Sequence, residues 1–419
     1  MNNKKLTILE IGTTDTKGGA ALVSWELKSM LEKLGHEVYM AVGFKRSADP
    51  KIFDLFDAPL NRLISKIIHK NFYQRLSHHI AYHRSNDISI PFAKKISHLK
   101  ILKDTDVIHA HNLHSNFFNL RELPRLSNQK PFVWTLHDMW AFTGHNAYTF
   151  DCEHWQSGGC ACDLPDSIPP HKRNNTQYLW DKKKKIFEKS KLHIVVPSQW
   201  LYNLVKKSIL KHQPLTLIYN GIDTDTYYPK DKKSTREKLG LPLDKKIIMF
   251  SSKAGKKFIR KGWDYAEKII EDHRLDDTIL FLCIGGKESE SIRKNIKYIP
   301  YISDPHLLAE YYSASDVLIF TSIAENCPLT VLEAMACGLP VLAFATGGIP
   351  ELIVHKKTGY VAEYKNKNDL QAGFEYLITM PQDKSNSMTE ECRKRVVRNF
   401  SLPNMTQQYL NLYQKILYA

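Results

Sequence analysis

The stretch LTILEIGTTDTKGGAALVSWELKSMLEKLGHEVYMAV, residues 6–42, decides the fold. Its first residues, LTILEIG, are an apolar run of strand length, and a polar turn from Thr13 to Lys17 follows. Beyond the pair Gly18–Gly19, Val23, Leu27, Met30, Leu31 and Leu34 recur at helical spacing, and Gly35 supplies a stop. Residues 37–42, EVYMAV, then read as a second strand. Strand, loop, helix and strand in this order are the opening unit of a parallel sheet.

The alternation continues outward from this unit. DVIHAH (106–111), FVWTLHD (132–138), HIVVPS (193–198) and LTLIYNGID (215–223) read as strands, with helix-like segments between them. KIIMFSS (246–252), TILFLCIGG (278–286), DVLIFTS (316–322) and LPVLAFATGG (339–348) repeat the pattern. The expected architecture is α/β, with two doubly wound Rossmann-like domains, 1–197 and 198–401. The last stretch, FSLPNMTQQYLNLYQKILYA, reads as an amphipathic helix, and residues 402–419 are expected to pack back on the first domain. Ligands of such sheets bind beyond the carboxyl ends of the strands. That points to an inter-domain cleft lined by Gly18–Gly19, His111, His137–Asp138, Gly285–Gly286, Ser322–Glu333 and Thr346–Gly348.

Composition narrows the function. At 419 residues, 43% hydrophobic and 25% charged, the chain is too apolar to be disordered and long enough for two domains. No window approaches ~18 uninterrupted apolar residues, which excludes a spanning helix. Met1–Leu6 lacks a signal-peptide core, so the expected location is cytoplasmic. Lys and Arg number 59 against 44 Asp and Glu, a balance of +15 that favours polyanionic partners: nucleic acid, anionic membrane or phosphorylated small molecules. No helix-turn-helix or ribonucleoprotein motif supports nucleic acid. A nicotinamide dehydrogenase is disfavoured as well, because no G-x-G-x-x-G follows the first strand and Val42-Gly43-Phe44 carries no acid for a ribose.

Residues 321–351, TSIAENCPLTVLEAMACGLPVLAFATGGIPE, carry the chemistry. Pro328 suits the start of a helix, Leu329, Leu332, Met335 and Ala336 give that helix an apolar side, and Gly338 ends it. Glu325 then lies in the loop before the helix and Glu333 inside it. Free backbone N–H groups in the stretch Asn326 to Leu329, those of Asn326, Cys327 and Leu329, would face a ligand, and a helix N-terminus favours phosphate. Carboxylates accept paired hydroxyl hydrogen bonds, so the pattern suits a nucleotide sugar.

Glu325-x7-Glu333, with EAMACGLPV and ATGGIPELI, resembles the signature of family-4 retaining glycosyltransferases of the GT-B fold, in particular a surface-polysaccharide subgroup. Gly18-Gly19-Ala20, HAHNLH (109–114), NGID (220–223) and RKG (260–262) resemble further segments of that family in the same order. The resemblance implies that Glu333 holds the donor ribose and Glu325 hydroxyls of the transferred sugar. It implies that Lys261 neutralises the leaving diphosphate with a second basic residue upstream, and that Gly19 lets the first loop approach the diphosphate. His111 would lie beside the transferred sugar, and contacts to the base would come from backbone near Tyr298 to Tyr301. Two departures stand out. Relatives often place an arginine about five residues before the lysine, where KAGKKFIRK offers Lys253, Lys256, Lys257 and then Arg260. They also often carry Phe–Gly where Asn326–Cys327 stand. The implied reaction retains the donor's anomeric configuration and requires no cofactor. Its donor is a UDP- or GDP-sugar, and its acceptor is a glycan carried on a polyprenyl diphosphate. Capsule, exopolysaccharide or lipopolysaccharide assembly would use it. The rival readings are a sugar-nucleotide epimerase on the same fold and a non-catalytic glycan- or nucleotide-binding scaffold.

Other signals compete with plainer readings. Cys152, Cys160 and Cys162, with His154 and His145 near them, have the residue types of a structural zinc site, set against ordinary reduced thiols. Asp104-Thr105-Asp106 and Asp223-Thr224-Asp225 have the form of metal-binding pairs but sit where turns are expected. His137 and Asp138 end a strand facing the cleft and are candidate acceptor contacts. NRLISKIIHKNFYQRLSHHIAYHR (61–84) has no acid and reads as a basic amphipathic helix able to lie on the inner face of the cytoplasmic membrane; Lys182–Lys185 add a second positive run.

Overall fold

The structure, a computed structural model, describes residues 4–56, 72–90, 93, 95–159, 170–251, 258–285 and 295–418. The chain divides into two compact units, Met1–Tyr219 with Met405–Ala419, and Asn220–Asn404. Among the described residues each unit is built on one sheet whose neighbouring strands all run parallel.

In the first unit the strands are β1 (Thr7–Thr14), β2 (Glu37–Phe44), β3 (Ile52–Asp54), β4 (Val107–Ala110), β5 (Phe132–Thr135), β6 (His193–Val196) and β7 (Leu215–Leu217). They lie in the order β3-β2-β1-β4-β5-β6-β7. Helix α1 (Gly19–Lys33) makes the crossover from β1 to β2, and α2 (Thr176–Phe187) precedes β6. Every residue of β4 and β5 is buried, the continuous apolar reading of strands covered on both faces. Chain order reverses between β1 and β4, so the crevice expected at such a switch point opens where Gly18–Gly19 and His111 leave their strands.

The expected boundary at residue 197 falls too early. β7 pairs with β6 through Ile194↔Leu215 and Val196↔Leu217, so the chain leaves the first sheet only after Tyr219. The helix Leu402–Tyr418 belongs to this unit from Met405 onward. Leu34, expected on the buried stripe of α1, is exposed. Lys28 is buried there instead, bonded to Glu32 at 2.7 Å and Asp49 at 2.9 Å.

In the second unit the strands are β8 (Lys246–Ser251), β9 (Ile279–Ile284), β10 (Ile296–Ile299), β11 (Val317–Phe320), β12 (Val341–Phe344) and β13 (Gly359–Ala362). Their order is β10-β9-β8-β11-β12-β13, with the reversal between β8 and β11. The helices that matter for the site are α3 (Trp263–Asp272), α4 (Pro305–Ala314) and α5 (Leu329–Ala336). Where the chain enters and leaves this unit, Ile222 and Ser401 form a parallel bridge.

Candidate active site

In the second unit the site grows from the loop between β11 and α5. Two glycines let other segments press against it. Gly262 has φ 61°, and a Cβ there would stand 2.0 Å from the Thr321 carbonyl oxygen. Gly347 has φ 55°, and its Cβ would stand 1.7 Å from the Glu325 carbonyl oxygen. Hydrogen bonds then pin the loop along its length. Ile323 N–H donates to the Arg260 carbonyl at 2.8 Å and Gly348 N–H to the Asn326 carbonyl at 2.9 Å. The Tyr364 hydroxyl donates to the Ile323 carbonyl at 3.0 Å, and Asn220 Nδ2 to the Cys327 carbonyl at 3.0 Å.

This framework brings Lys261 and Glu325 together. Lys261 Nζ donates to Glu325 Oε1; the lysine side chain is 36% exposed and the glutamate 9%. Pro328 precedes α5 with no side-chain cap, so the positive end of the helix dipole is open to an anion. Glu333, inside α5, is buried, and the Tyr312 hydroxyl of α4 donates to its Oε2 at 3.0 Å. Burial pushes the Glu333 carboxyl up to about 7 against the opposing pull of the Tyr312 bond. Cys327 is buried and its thiol is pushed up to about 12 by that burial, which leaves it unreactive. Arg260 lies in the 3-10 turn Ile259–Lys261, its guanidinium 5.8 Å from the centre of the Phe258 ring. Tyr298 is half-buried in β10, separated from β11 by β9 and β8. Lys253 and Lys256 fall outside the described residues.

In the first unit, Gly18 has φ 101° and α1 starts at Gly19 with no side-chain cap. A Cβ at either glycine would meet nothing within 4 Å, so internal packing does not require glycine there and the space above them is open. His111 follows β4. Its N–H donates to the Ile11 carbonyl at 2.8 Å, and its Nδ1 lies 3.0 Å from His137 Nε2, with the rings stacked at 5.3 Å. Burial holds the His111 ring well below its ordinary range and His137 down to about 4, so both are neutral at pH 7. Asp138 accepts from Asn112 Nδ2 at 2.8 Å and Trp140 N–H at 2.9 Å, and meets His114 Nε2 at 2.9 Å. Burial alone would raise Asp138, but His114 and these donors outweigh it and hold the carboxyl below its usual value.

Beneath His111 lies a buried polar layer that the sequence reading missed. Glu10 and His109 are register partners on β1 and β4. His109 bonds Thr135 Oγ1 at 2.8 Å through Nε2 and the Tyr413 hydroxyl at 2.7 Å through Nδ1; the Tyr409 hydroxyl lies 2.9 Å from Thr135 Oγ1. Ser24 donates to Glu10, whose carboxyl is pushed up to about 8 by burial. Among the described residues, Glu10, His109 and His111 are the three metal-ligating groups with donor atoms within 4.8 Å of one another. Both nitrogens of His109 are already engaged by hydroxyls, so His109 has no free nitrogen for a metal, while Glu10 Oε1 and His111 Nε2 are buried without a hydrogen-bond partner. The available signal was Glu10 inside an otherwise apolar strand, with two tyrosines four apart on the terminal helix.

Cys152 Sγ lies 3.8 Å from His154 Nδ1, while Cys160 and Cys162 fall outside the described residues. His145 meets Asp87 Oδ2 at 3.2 Å. Asp106 accepts the Thr7 N–H at 2.8 Å, and Asp223 closes a turn on Asp225 N–H at 2.9 Å and the Thr226 hydroxyl at 2.7 Å. Residues 61–71 of the basic stretch are outside the described residues. Helix Phe72–Arg84 buries Gln74, Ser77 and Ala81. Within the Lys182–Lys185 run, Lys183 is wholly buried, contrary to its reading as surface charge. No helix among the described residues is long and apolar enough to cross a membrane.

Comparison with known proteins places this geometry. Residues 17–226 match the family model described as Glycosyltransferase Family 4, and residues 231–395 match that of Glycosyl transferases group 1. An Escherichia coli (strain K12) chain named as the colanic acid biosynthesis glycosyl transferase WcaC is 24% identical, over 98% of this chain and 100% of its own. An Escherichia coli UDP-Gal:alpha-D-GlcNAc-diphosphoundecaprenol alpha-1,3-galactosyltransferase is 25% identical, over 50% of this chain and 56% of its own. Among solved structures, a sucrose-phosphate synthase from Thermosynechococcus elongatus superposes with a TM-score of 0.67 at 20% identity, covering 98% of this chain and 99% of that one. The first family model spans half of the chain by itself; the chain is a GT-B-fold protein and belongs to glycosyltransferase family 4.

Proposed function

We propose that this glycosyltransferase moves a sugar from a UDP- or GDP-sugar to a glycan on a polyprenyl diphosphate, with retention at the anomeric carbon and without a metal ion. The product would serve capsule, exopolysaccharide or lipopolysaccharide assembly. The observation that carries this reading is the Lys261–Glu325 pair at the uncapped start of α5, with Glu333 inside the same helix. A diphosphate at that helix start would draw Lys261 off Glu325, and the freed carboxylate would take hydroxyls of the sugar. Glu333 would take the ribose. In the transfer, the bond from the anomeric carbon to the diphosphate oxygen breaks and a bond to the acceptor oxygen forms on the same face. The acceptor's proton passes to the departing diphosphate, and Lys261 offsets the charge left there. His111, neutral and buried, can stand beside the developing positive charge without repelling it.

The acceptor class is supported by the names of the two Escherichia coli relatives and by the +15 balance, which suits an anionic membrane surface. A cytoplasmic protein in peripheral contact with the inner face of the membrane would meet both substrates. No observation at α5 favours an epimerase or a scaffold.

A thermal-shift screen of UDP-, GDP-, ADP- and dTDP-sugars, with and without EDTA, tests the reading. One nucleotide family should raise Tm, equally in EDTA. No shift with any of them, or a shift abolished by EDTA, would overturn it.

A further inference from the structure

Helix α2 carries four consecutive lysines, Lys182 to Lys185. Leu179, Lys183 and Phe187 fall at i, i+4 and i+8 and are buried together, so Lys183 occupies the middle of the helix's apolar stripe. Its ammonium donates to the Trp140 carbonyl at 2.7 Å and the Thr143 carbonyl at 3.2 Å, and stands 3.7 Å from the centre of the Trp140 ring. Asp87 holds the edge of that tryptophan, accepting from Trp140 Nε1 at 2.6 Å. A methionine or leucine at position 183 would fill an apolar stripe without the cost of desolvating an ammonium. What the ammonium adds is directional: two carbonyls and a π face from one loop meet one point.

That loop, 136–147, carries His137 and Asp138 near its start. It folds back through Met139 N–H to the Ala147 carbonyl at 2.9 Å and through Thr143 N–H to the Met139 carbonyl at 3.1 Å. Asp138 accepts the Trp140 N–H, so the residue held by Lys183 is also the one that orients Asp138. We propose that Lys183 is a positioning residue of the acceptor site: by holding the Trp140 and Thr143 carbonyls it fixes the direction in which His137 and Asp138 are presented. This rests on the proposed function for the existence of an acceptor, and on the sequence reading of His137 and Asp138 as its contacts.

The arrangement carries a pH dependence. Burial lowers Lys183 to about 8, with Asp87 and Asp138 pulling upward. The groups facing this cluster are Asp87, Asp138, His114, His145 and, against His145, His171. Loss of the Lys183 proton leaves one donor fewer and removes a positive charge beside Asp87 and Asp138, which keep their contacts to His145 and His114.

The test uses the full chain, its wild type and Lys183→Met. The acceptor probe is a short-chain polyprenyl diphosphate bearing N-acetylglucosamine, and the donor is the nucleotide sugar found by thermal shift. The kcat/KM for the probe should fall at least 30-fold in the variant, while the KM for the donor stays within twofold. In the wild type, kcat/KM for the probe should drop as pH rises through about 8, and the variant should lack that limb. Equal loss for donor and probe, or a limb that survives in Lys183→Met, would overturn the proposal. Amide exchange over 136–147 gives a reading without any acceptor. Above its intrinsic rise with pH, it should quicken at least tenfold in the wild type between pH 7 and 9.5. Unchanged protection would overturn the proposal even if the variant failed to fold. Failure of the probe to accept sugar, with quickened exchange, would sink the acceptor assignment and leave the role of Lys183 standing.

Discussion

Glu333 offers the sharpest prediction, because its buried carboxyl is pushed up to about 7 and its proposed partner is a pair of hydroxyls. An ionised carboxylate accepts both hydroxyl hydrogen bonds; the neutral acid accepts them less well and keeps a proton in the way. Donor binding should therefore strengthen as pH rises. With a midpoint near 7, about 3% of Glu333 is ionised at pH 5.5 and about 97% at pH 8.5, so the association constant should rise about 30-fold and then level. Stability runs the other way. A carboxyl raised above its unfolded value stabilises the fold fully below about 4.5, and that contribution is lost as pH rises through about 7. Glu333→Gln should abolish the pH dependence. It should also weaken binding at pH 8 by one charge-assisted hydrogen bond, about 1.5–3 kcal/mol, or about 10–150-fold. Tyr312→Phe removes the hydroxyl that donates to Oε2, and the midpoint should move higher still. Calorimetric titration with the intact nucleotide sugar is the right assay, since its diphosphate diester does not titrate in this range. A flat profile from pH 5.5 to 8.5, or wild-type affinity in Glu333→Gln, would refute the ribose assignment.

Three further predictions concern the framework. Lys261→Met should weaken donor binding by about 1.5–3 kcal/mol; because it leaves the buried Glu325 carboxylate without its cation, Tm in the absence of donor should fall as well. Gly347→Ala sets a Cβ against the Glu325 carbonyl oxygen at positive φ and should cost at least about 1–3 kcal/mol, visible as a lower midpoint in urea together with weaker donor binding. Tyr413→Phe withdraws the hydroxyl from His109 Nδ1 and should destabilise the first unit by about 1–3 kcal/mol, with donor affinity unchanged in calorimetry.

The parallel strands were legible in the sequence where they are buried on both faces, because continuous apolar runs such as KIIMFSS and DVLIFTS have few alternatives. Strands β3, β10 and β13 were not singled out. They are sheet edges three or four residues long, and a stretch like IKYI has too little pattern to announce itself. The early domain boundary has a related cause: β7 is three half-buried residues, LTL, and only its pairing with β6 assigns it to the first sheet. At the site, glutamates at a fixed spacing around a helix start were visible, as was the lysine. Their supports were not. Asn220 reaches Cys327 across 107 residues and Tyr312 reaches Glu333 from a different helix, and neither leaves a local trace. Lys183 was read as surface charge because a run of four lysines looks solvated; helical periodicity, which puts it in line with Leu179 and Phe187, was the better guide.

The two glutamates invite one confusion that the geometry argues against. A retaining glycoside hydrolase needs a protonated carboxyl and an ionised nucleophile at neutral pH, and here one carboxyl is raised to about 7 while another is paired with a cation. The partners do not suit those roles. Lys261 lies directly on Glu325, which quiets a nucleophile. Glu333 sits inside α5 with its Oε2 given to Tyr312, which suits a fixed acceptor better than a proton donor to a leaving group. Glu325→Ala in the presence of azide decides the matter. If Glu325 were the nucleophile, azide would fill the space left by its side chain, attack the anomeric carbon and release a glycosyl azide of inverted configuration. If Glu325 only binds hydroxyls, turnover should fall by two orders of magnitude or more, azide should restore none of it, and no glycosyl azide should form. Detection of that product by mass spectrometry, with its configuration read from the anomeric proton coupling, would refute the binding role and return the pair to hydrolase chemistry.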